Sequence, residues 1–159
     1  MSTHLPAPIQ VRELLTELLG RDVELSPGAP LAPGPATPAT IASYVDDSLQ
    51  LAALVVCDLP LSAHAGAAIG LVPPDQALAA IADGALTDAL AENLYEVLNI
   101  AAAMFNVDGA PHVRLHALAP AGGPIDPQLM ARALTLGRRE DAALTISGYG
   151  AGRLSIVLV

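Results

Sequence analysis

Lysine is absent from this 159-residue chain, and all seven positive charges are arginine. Against them stand 16 acidic residues, giving a net charge of −9 and an isoelectric point near 4.6. A surface that binds nucleic acid needs clustered Lys and Arg, so phosphate backbones are disfavoured as partners. An anionic membrane surface is disfavoured for the same reason. A partner with a basic patch would be drawn in. Cysteine is nearly absent too. Cys57 stands alone, so the chain forms no internal disulfide and builds no thiolate zinc site. Its setting, Leu54-Val55-Val56-Cys57, reads as a buried strand with the thiol as a small core side chain. The first residues lack the basic region and apolar run of a signal peptide. No apolar segment reaches the ~20 uninterrupted residues of a spanning helix. The expectation is a cytoplasmic protein with no membrane partner.

What is present is apolar. Hydrophobic residues make up 53% and charged residues 14%, with a mean hydropathy of +0.51, greasier than an average soluble domain. The length fits a single domain over 1–159 with a sizeable core. Val11 to Leu19 carries apolar residues at i, i+3, i+4, i+7 and i+8, an amphipathic helix stopped by Gly20. Five prolines and two glycines between Ser26 and Pro38 read as a loop or flexible connector. Thr40–Val45 and Leu49–Cys57 form a hairpin around Asp46-Asp47-Ser48. Leu61–Ile69 is a short helix weakened by Gly66. Pro73-Pro74-Asp75 opens another, which Gly84 breaks.

A long helical pattern runs from Ala85 to Asn106, with its helix proper from about Leu86. His112–Leu118 is a strand, and Asp126-Pro127 caps a helix through about Leu136. A second hairpin, Ala142–Tyr149 with Arg153–Val159, turns at Gly150-Ala151-Gly152. Tight turns imply antiparallel pairing. The expected architecture is α+β: an antiparallel sheet of about five strands built from hairpins, with long helices packed on it. Both terminal strands are apolar enough to form an edge that a second copy, in a homodimer, could cover.

At about 100° per residue, Leu90, Leu94, Val97, Ala101, Met104 and Phe105 converge on one stripe of the central helix. Glu92, Glu96, Asn99 and Ala103 fall opposite. Asn costs several tenths of a kcal/mol relative to Ala inside a helix. An outward-facing Asn there caps something, contacts a partner, does chemistry, or belongs to an idle polar face. Glu92 and Glu96 are a mildly destabilising like-charge pair. Ala103 leaves the surface flat for another backbone.

Glu96-Val97-Leu98-Asn99 in the middle of a long helix, after a helix–hairpin–helix lead-in and before a strand and closing hairpin, resembles the CheC/CheX/FliY phosphatase family. These proteins dephosphorylate the response regulator CheY of chemotaxis. The family pattern is an acidic residue or Ser, three others, Glu-x-x-Asn, and commonly a small residue four places on. Those places hold Glu92, Glu96, Asn99 and Ala103. Glu92 stands where Asp or Ser is usual, and Ala103 where Gly is frequent. A single motif makes CheX the nearer match than CheC, with its two. The element order matches over nearly the whole chain, and residue-level likeness is confined to this segment.

The resemblance implies hydrolysis of an aspartyl phosphate on a receiver domain. Asn99 would orient the attacking water and Glu96 would pair with a regulator lysine, with Glu92 assisting. The Mg²⁺ would belong to the partner receiver domain, so the chain itself would need no cofactor. The alternative is a non-catalytic interaction module on the same fold, an adaptor, scaffold or chaperone-like dimer.

Other features carry less. His112 and His116 share a strand face roughly 13 Å apart, too far for one metal. His4 lies near the terminus and His64 in the weak helix. Ser62 and Ser147 lack a nucleophile-elbow pattern. The glycines at 121–124 and 148–152 do not open a helix after a strand as dinucleotide-binding loops do. Arg138-Arg139 reads as a helix-end or loop pair.

Overall fold

A computed structural model describes residues 2–159. In chain order the elements are α1 (Pro8–Leu19), β1 (Val23–Pro27), β2 (Ala39–Asp46), β3 (Leu51–Asp58), α2 (Leu59–Ile69), α3 (Pro74–Asp83), α4 (Asp88–Ala101), β4 (Val113–Ala119), α5 (Pro127–Ala133), β5 (Arg139–Ile146) and β6 (Gly150–Leu158). A 3-10 turn, Ala102–Met104, continues α4. The strands make one sheet in the order β1-β5-β6-β3-β2-β4, every pairing antiparallel. The architecture is the expected α+β.

The sheet has six strands rather than about five. The extra one, β1, is short, and its Val-Glu-Leu alternation runs straight into the proline-rich stretch. It pairs with β5 from Val23↔Ile146 to Pro27↔Ala142. Pro27 is tolerated because β1 lies at the sheet edge, where no ladder bond is required of its nitrogen. The C-terminal strands do not form an edge. β6 sits between β5 and β3, and β5 between β1 and β6, which leaves β1 and β4 as the edges. The last hairpin also turns earlier than its glycines suggest, at Ser147–Tyr149, with Gly150 and Gly152 inside β6. Gly152 is needed there, since a Cβ would lie 2.4 Å from the Leu61 Cβ on α2.

Alternation sends side chains to two differently covered faces. Ala42, Tyr44, Ala53, Val55, Cys57, Leu154 and Ile156 face α1, α2 and α4 and form the main core. Ile41, Leu54, Val56 and Val157 face the other way, onto Leu31 and Ala133. The Pro/Gly-rich stretch is therefore a lid, not a free connector. Leu31 is 1% exposed, its N–H donates to Ser155 Oγ at 3.1 Å, and Arg153 reaches the Ala29 and Pro30 carbonyls.

α2 is the most deeply set helix, with Leu61 through Ala68 all buried. Gly66 lowers the intrinsic propensity of α2 but lets α4 approach: a Cβ there would sit 2.6 Å from the Leu90 carbonyl oxygen. Cys57 is buried, and burial foremost, with Asp58 adding, raises its thiol pKa well above the ordinary range. It is an inert core residue.

Candidate functional site

Thr87 caps the start of α4, its hydroxyl accepting the Leu90 N–H at 3.2 Å. Asp88 in the first turn suits the positive end of the helix dipole. From there the apolar stripe is buried as the spacing requires: Leu90, Leu94, Val97, Ala101, Met104 and Phe105 all lie in the core. Leu98 joins them. Glu92, Glu96, Asn99 and Ala103 are all exposed on the outer side. Glu96 and Asn99, one turn apart, have Cβ atoms about 5–6 Å from each other.

The helix is fastened from three directions. Asn93 Nδ2 donates to the Gly66 carbonyl at 3.0 Å, tying α4 to α2. Tyr44, fully buried on β2, donates its hydroxyl to the Leu98 carbonyl at 2.5 Å and packs its ring on Phe105 at 5.1 Å between centroids. Asn106 grips the start of β4 through two bonds, accepting the Val113 N–H and donating to its carbonyl. Two asparagines besides Asn99 thus have structural work, which their sequence positions do not distinguish from exposure.

The α-helical winding ends sooner than the pattern to Asn106 suggests. Ala102 donates to the carbonyls of Asn99 and Ile100, and Phe105 and Asn106 donate to residues three back, so the chain tightens just beyond Asn99. Ala103 therefore belongs to the 3-10 turn, still exposed and still small.

Two surface residues missed in the sequence complete the patch. Tyr95 and Ile100 are 43% and 42% exposed. The ~100° step places Tyr95 on one flank of Asn99 and Ile100 on the other. Large apolar groups beside two carboxylates and a carboxamide could have been found by asking which bulky residues fall off the buried stripe. α4 carries no arginine or lysine, so its face is purely anionic and amphipathic. Chemically it can accept a cation at Glu96, hold a water by both donor and acceptor at Asn99, and bury apolar contact area around them.

The remaining candidates stay apart from this patch or apart from each other. Exposed His112 lies 3.6 Å from exposed Asp47. His116 is exposed beside a bulge in the β2–β4 pairing. His64 is buried. Arg138 and Arg139 diverge in role, for Arg139 is held in a partly buried pair with Asp141 at 2.9 Å. Among the described residues no group of three or more His, Cys, Asp or Glu side chains is arranged to hold a metal ion, and no helix is long and apolar enough to cross a membrane.

No family model matches the sequence, and no curated protein matches it either. Solved structures do share its fold. A FliM middle domain from Vibrio alginolyticus superposes with a TM-score of 0.58 at 11% identity, over 94% of this chain and 86% of that one. A chain in the CheX–CheY–BeF3–Mg complex from Borrelia burgdorferi gives 0.51 at 9% identity, over 94% and 92%. FliY from Thermotoga maritima gives 0.50 at 12%, over 94% and 83%. The chain has the fold of the CheC/CheX/FliY group, to which the FliM middle domain conforms. The fold does not single out CheX within it.

Proposed function

We propose that this chain is a CheX-like phosphatase that accelerates hydrolysis of the aspartyl phosphate on a response-regulator receiver domain. The observation that carries the reading is the outward placement of Glu96 and Asn99, one turn apart on a helix braced by the sheet and by α2, in a fold shared with a CheX–CheY complex. Hydrolysis needs water to attack phosphorus in line while Mg²⁺, brought by the receiver domain, neutralises the phosphoryl oxygens. The phosphatase then has to position the water, and holding one reactant in attack geometry lowers the barrier substantially. The Asn99 carboxamide orients that water through its donor and acceptor together. Glu96 pairs with a lysine of the receiver and fixes the dock, with Glu92 reinforcing the local negative potential. Ala103 gives the partner backbone a flat approach.

The test follows phosphoryl loss from a cognate phosphorylated receiver. Wild-type protein should shorten the phosphoryl half-life. Asn99→Ala should abolish the acceleration while still binding, and Glu96→Ala should weaken binding. Equal half-lives with and without the wild-type protein overturn the reading.

A second reading has its own support. Chains with the same fold occur in a FliM–SpeE complex and a FliG–FliM complex from H. pylori, at TM-scores of 0.58 and 0.50. On that reading the chain is a non-catalytic interaction module. Stoichiometric binding to a partner that survives Asn99→Ala, with no change in phosphoryl lifetime for any variant, would favour it.

A further inference from the structure

We infer that Tyr44 is a positioning residue for Asn99, acting from the buried side of α4 through the Leu98 carbonyl. The inference rests on the phosphatase reading for its catalytic consequence and on geometry for its mechanical one. In a continuing α-helix the Leu98 carbonyl would accept from the Ala102 N–H. The Ala102 N–H is also drawn toward the Asn99 and Ile100 carbonyls, because the chain has begun to tighten. The Leu98 carbonyl, on the residue immediately before Asn99, thus sits in a buried setting where the α-helical ladder passes into the tighter turn.

The Tyr44 hydroxyl donates a hydrogen bond to that carbonyl at 2.5 Å. Among the described residues it is the sole side-chain hydrogen bond from the sheet to α4. The ring that carries the hydroxyl cannot shift easily. It is fully buried on β2, which is paired on both sides, and it rests against Phe105 from the turn itself. The sheet thus holds the turn carrying Asn99 from below, with the carboxamide on the opposite side of the helix. Burial keeps the phenol protonated, so the donor persists across the working pH range.

This makes sense of a mid-strand tyrosine. At a fully buried position between Ser43 and Val45, phenylalanine would fill the same space without a polar group to satisfy. The hydroxyl is used where the α-helix passes into the tighter 3-10 turn.

Tyr149 provides the control. Its hydroxyl also donates to a backbone carbonyl, that of Val72 at 2.7 Å, but at the α2–α3 connection. Tyr44→Phe and Tyr149→Phe each delete one hydroxyl–carbonyl bond. Steady-state hydrolysis of a phosphorylated receiver should show kcat about tenfold lower for Tyr44→Phe, with KM changed less than about twofold, as expected when only alignment is lost. Tyr149→Phe should lower Tm similarly and leave kcat unchanged.

Amide hydrogen exchange should quicken at Ala102 and Phe105 in Tyr44→Phe and not in Tyr149→Phe. Ala102→Gly, which loosens the same turn and leaves Tyr44 intact, should reproduce the kcat loss and stands in if Tyr44→Phe fails to fold. Wild-type kcat in either turn variant, or unchanged exchange in Tyr44→Phe, overturns the inference. Should wild-type protein not accelerate hydrolysis at all, the phosphatase reading falls, and the exchange comparison alone upholds or overturns Tyr44's hold on the turn.

Discussion

Beneath Asn99 the buried contacts of the turn belong to Val97, Leu98 and Ala101, and the asparagine side chain points away from all of them. Replacing it with alanine removes a residue of poorer helix propensity. Asn99→Ala should therefore leave stability unchanged or raise it by about 0.5 kcal/mol, measured by urea unfolding, while the proposed activity disappears. His64 behaves in the opposite manner. It is 4% exposed, its Nδ1 has no hydrogen-bond partner, and its ring lies so close to Gly150 that a Cβ there would be 2.6 Å from Nε2. Burial lowers its pKa, and Asp58 opposes the shift more weakly. The folded state therefore binds fewer protons than the unfolded state, so stability is lost as pH falls from about 6.5 toward the lower folded-state value. In His64→Leu that part of the pH dependence should flatten, visible as a smaller drop in Tm between neutral and mildly acidic buffer.

At this scale the sequence was informative where periodicity applied. The 3.6-residue repeat sorted Leu94 and Val97 from Glu92 and Asn99 correctly, because α4 buries one stripe and leaves the opposite face exposed. It could not say that Asn93 and Asn106 would bond to Gly66 and Val113, since those partners lie on other elements.

Among the elements, α2 and α4 depend on each other through one missing side chain. Gly66→Ala would improve the intrinsic propensity of α2 by up to about 1 kcal/mol. The added methyl, however, would meet backbone at Leu90, which cannot rotate out of the way. The net result should be destabilisation by about 1–3 kcal/mol, seen as a lower denaturation midpoint with unchanged slope. A glycine inside a helical pattern reads locally as weakness, and only the neighbouring helix reveals it as a contact. The same limit explains the shifted last hairpin. Gly150 and Gly152 look like a turn, yet they lie in β6 because His64 and Leu61 of α2 press on that strand. β1 was illegible for a different reason: five residues ending in proline carry too little alternation, and β5 supplies the pairing.

Across the whole molecule the two faces of the sheet are closed by different means. Helices cover one. On the other, Arg139 bonds Asp141 and the carbonyls of Ala133 and Thr135 at the end of α5, while Ser155 bonds Asp141 and receives the Leu31 N–H. One polar chain thus fastens both α5 and the proline-rich lid to the strands. The layered α+β plan was legible from the order of hairpins and helices. The lid was not, because a single buried leucine among prolines has no period to detect.

The prolines of that lid bear on a quantity no folded contact records. Pro30 and Pro35 are exposed and bury little, yet each restricts φ in the unfolded chain as well as the folded one. A lid of ordinary residues would surrender more conformational freedom on closing over the sheet than this one does. Pro35→Ala should therefore cost about 0.4–1 kcal/mol, measured by chemical denaturation, with the folded structure unchanged. The lid's ordering is prepared before folding, by the stiffness of its unfolded ensemble.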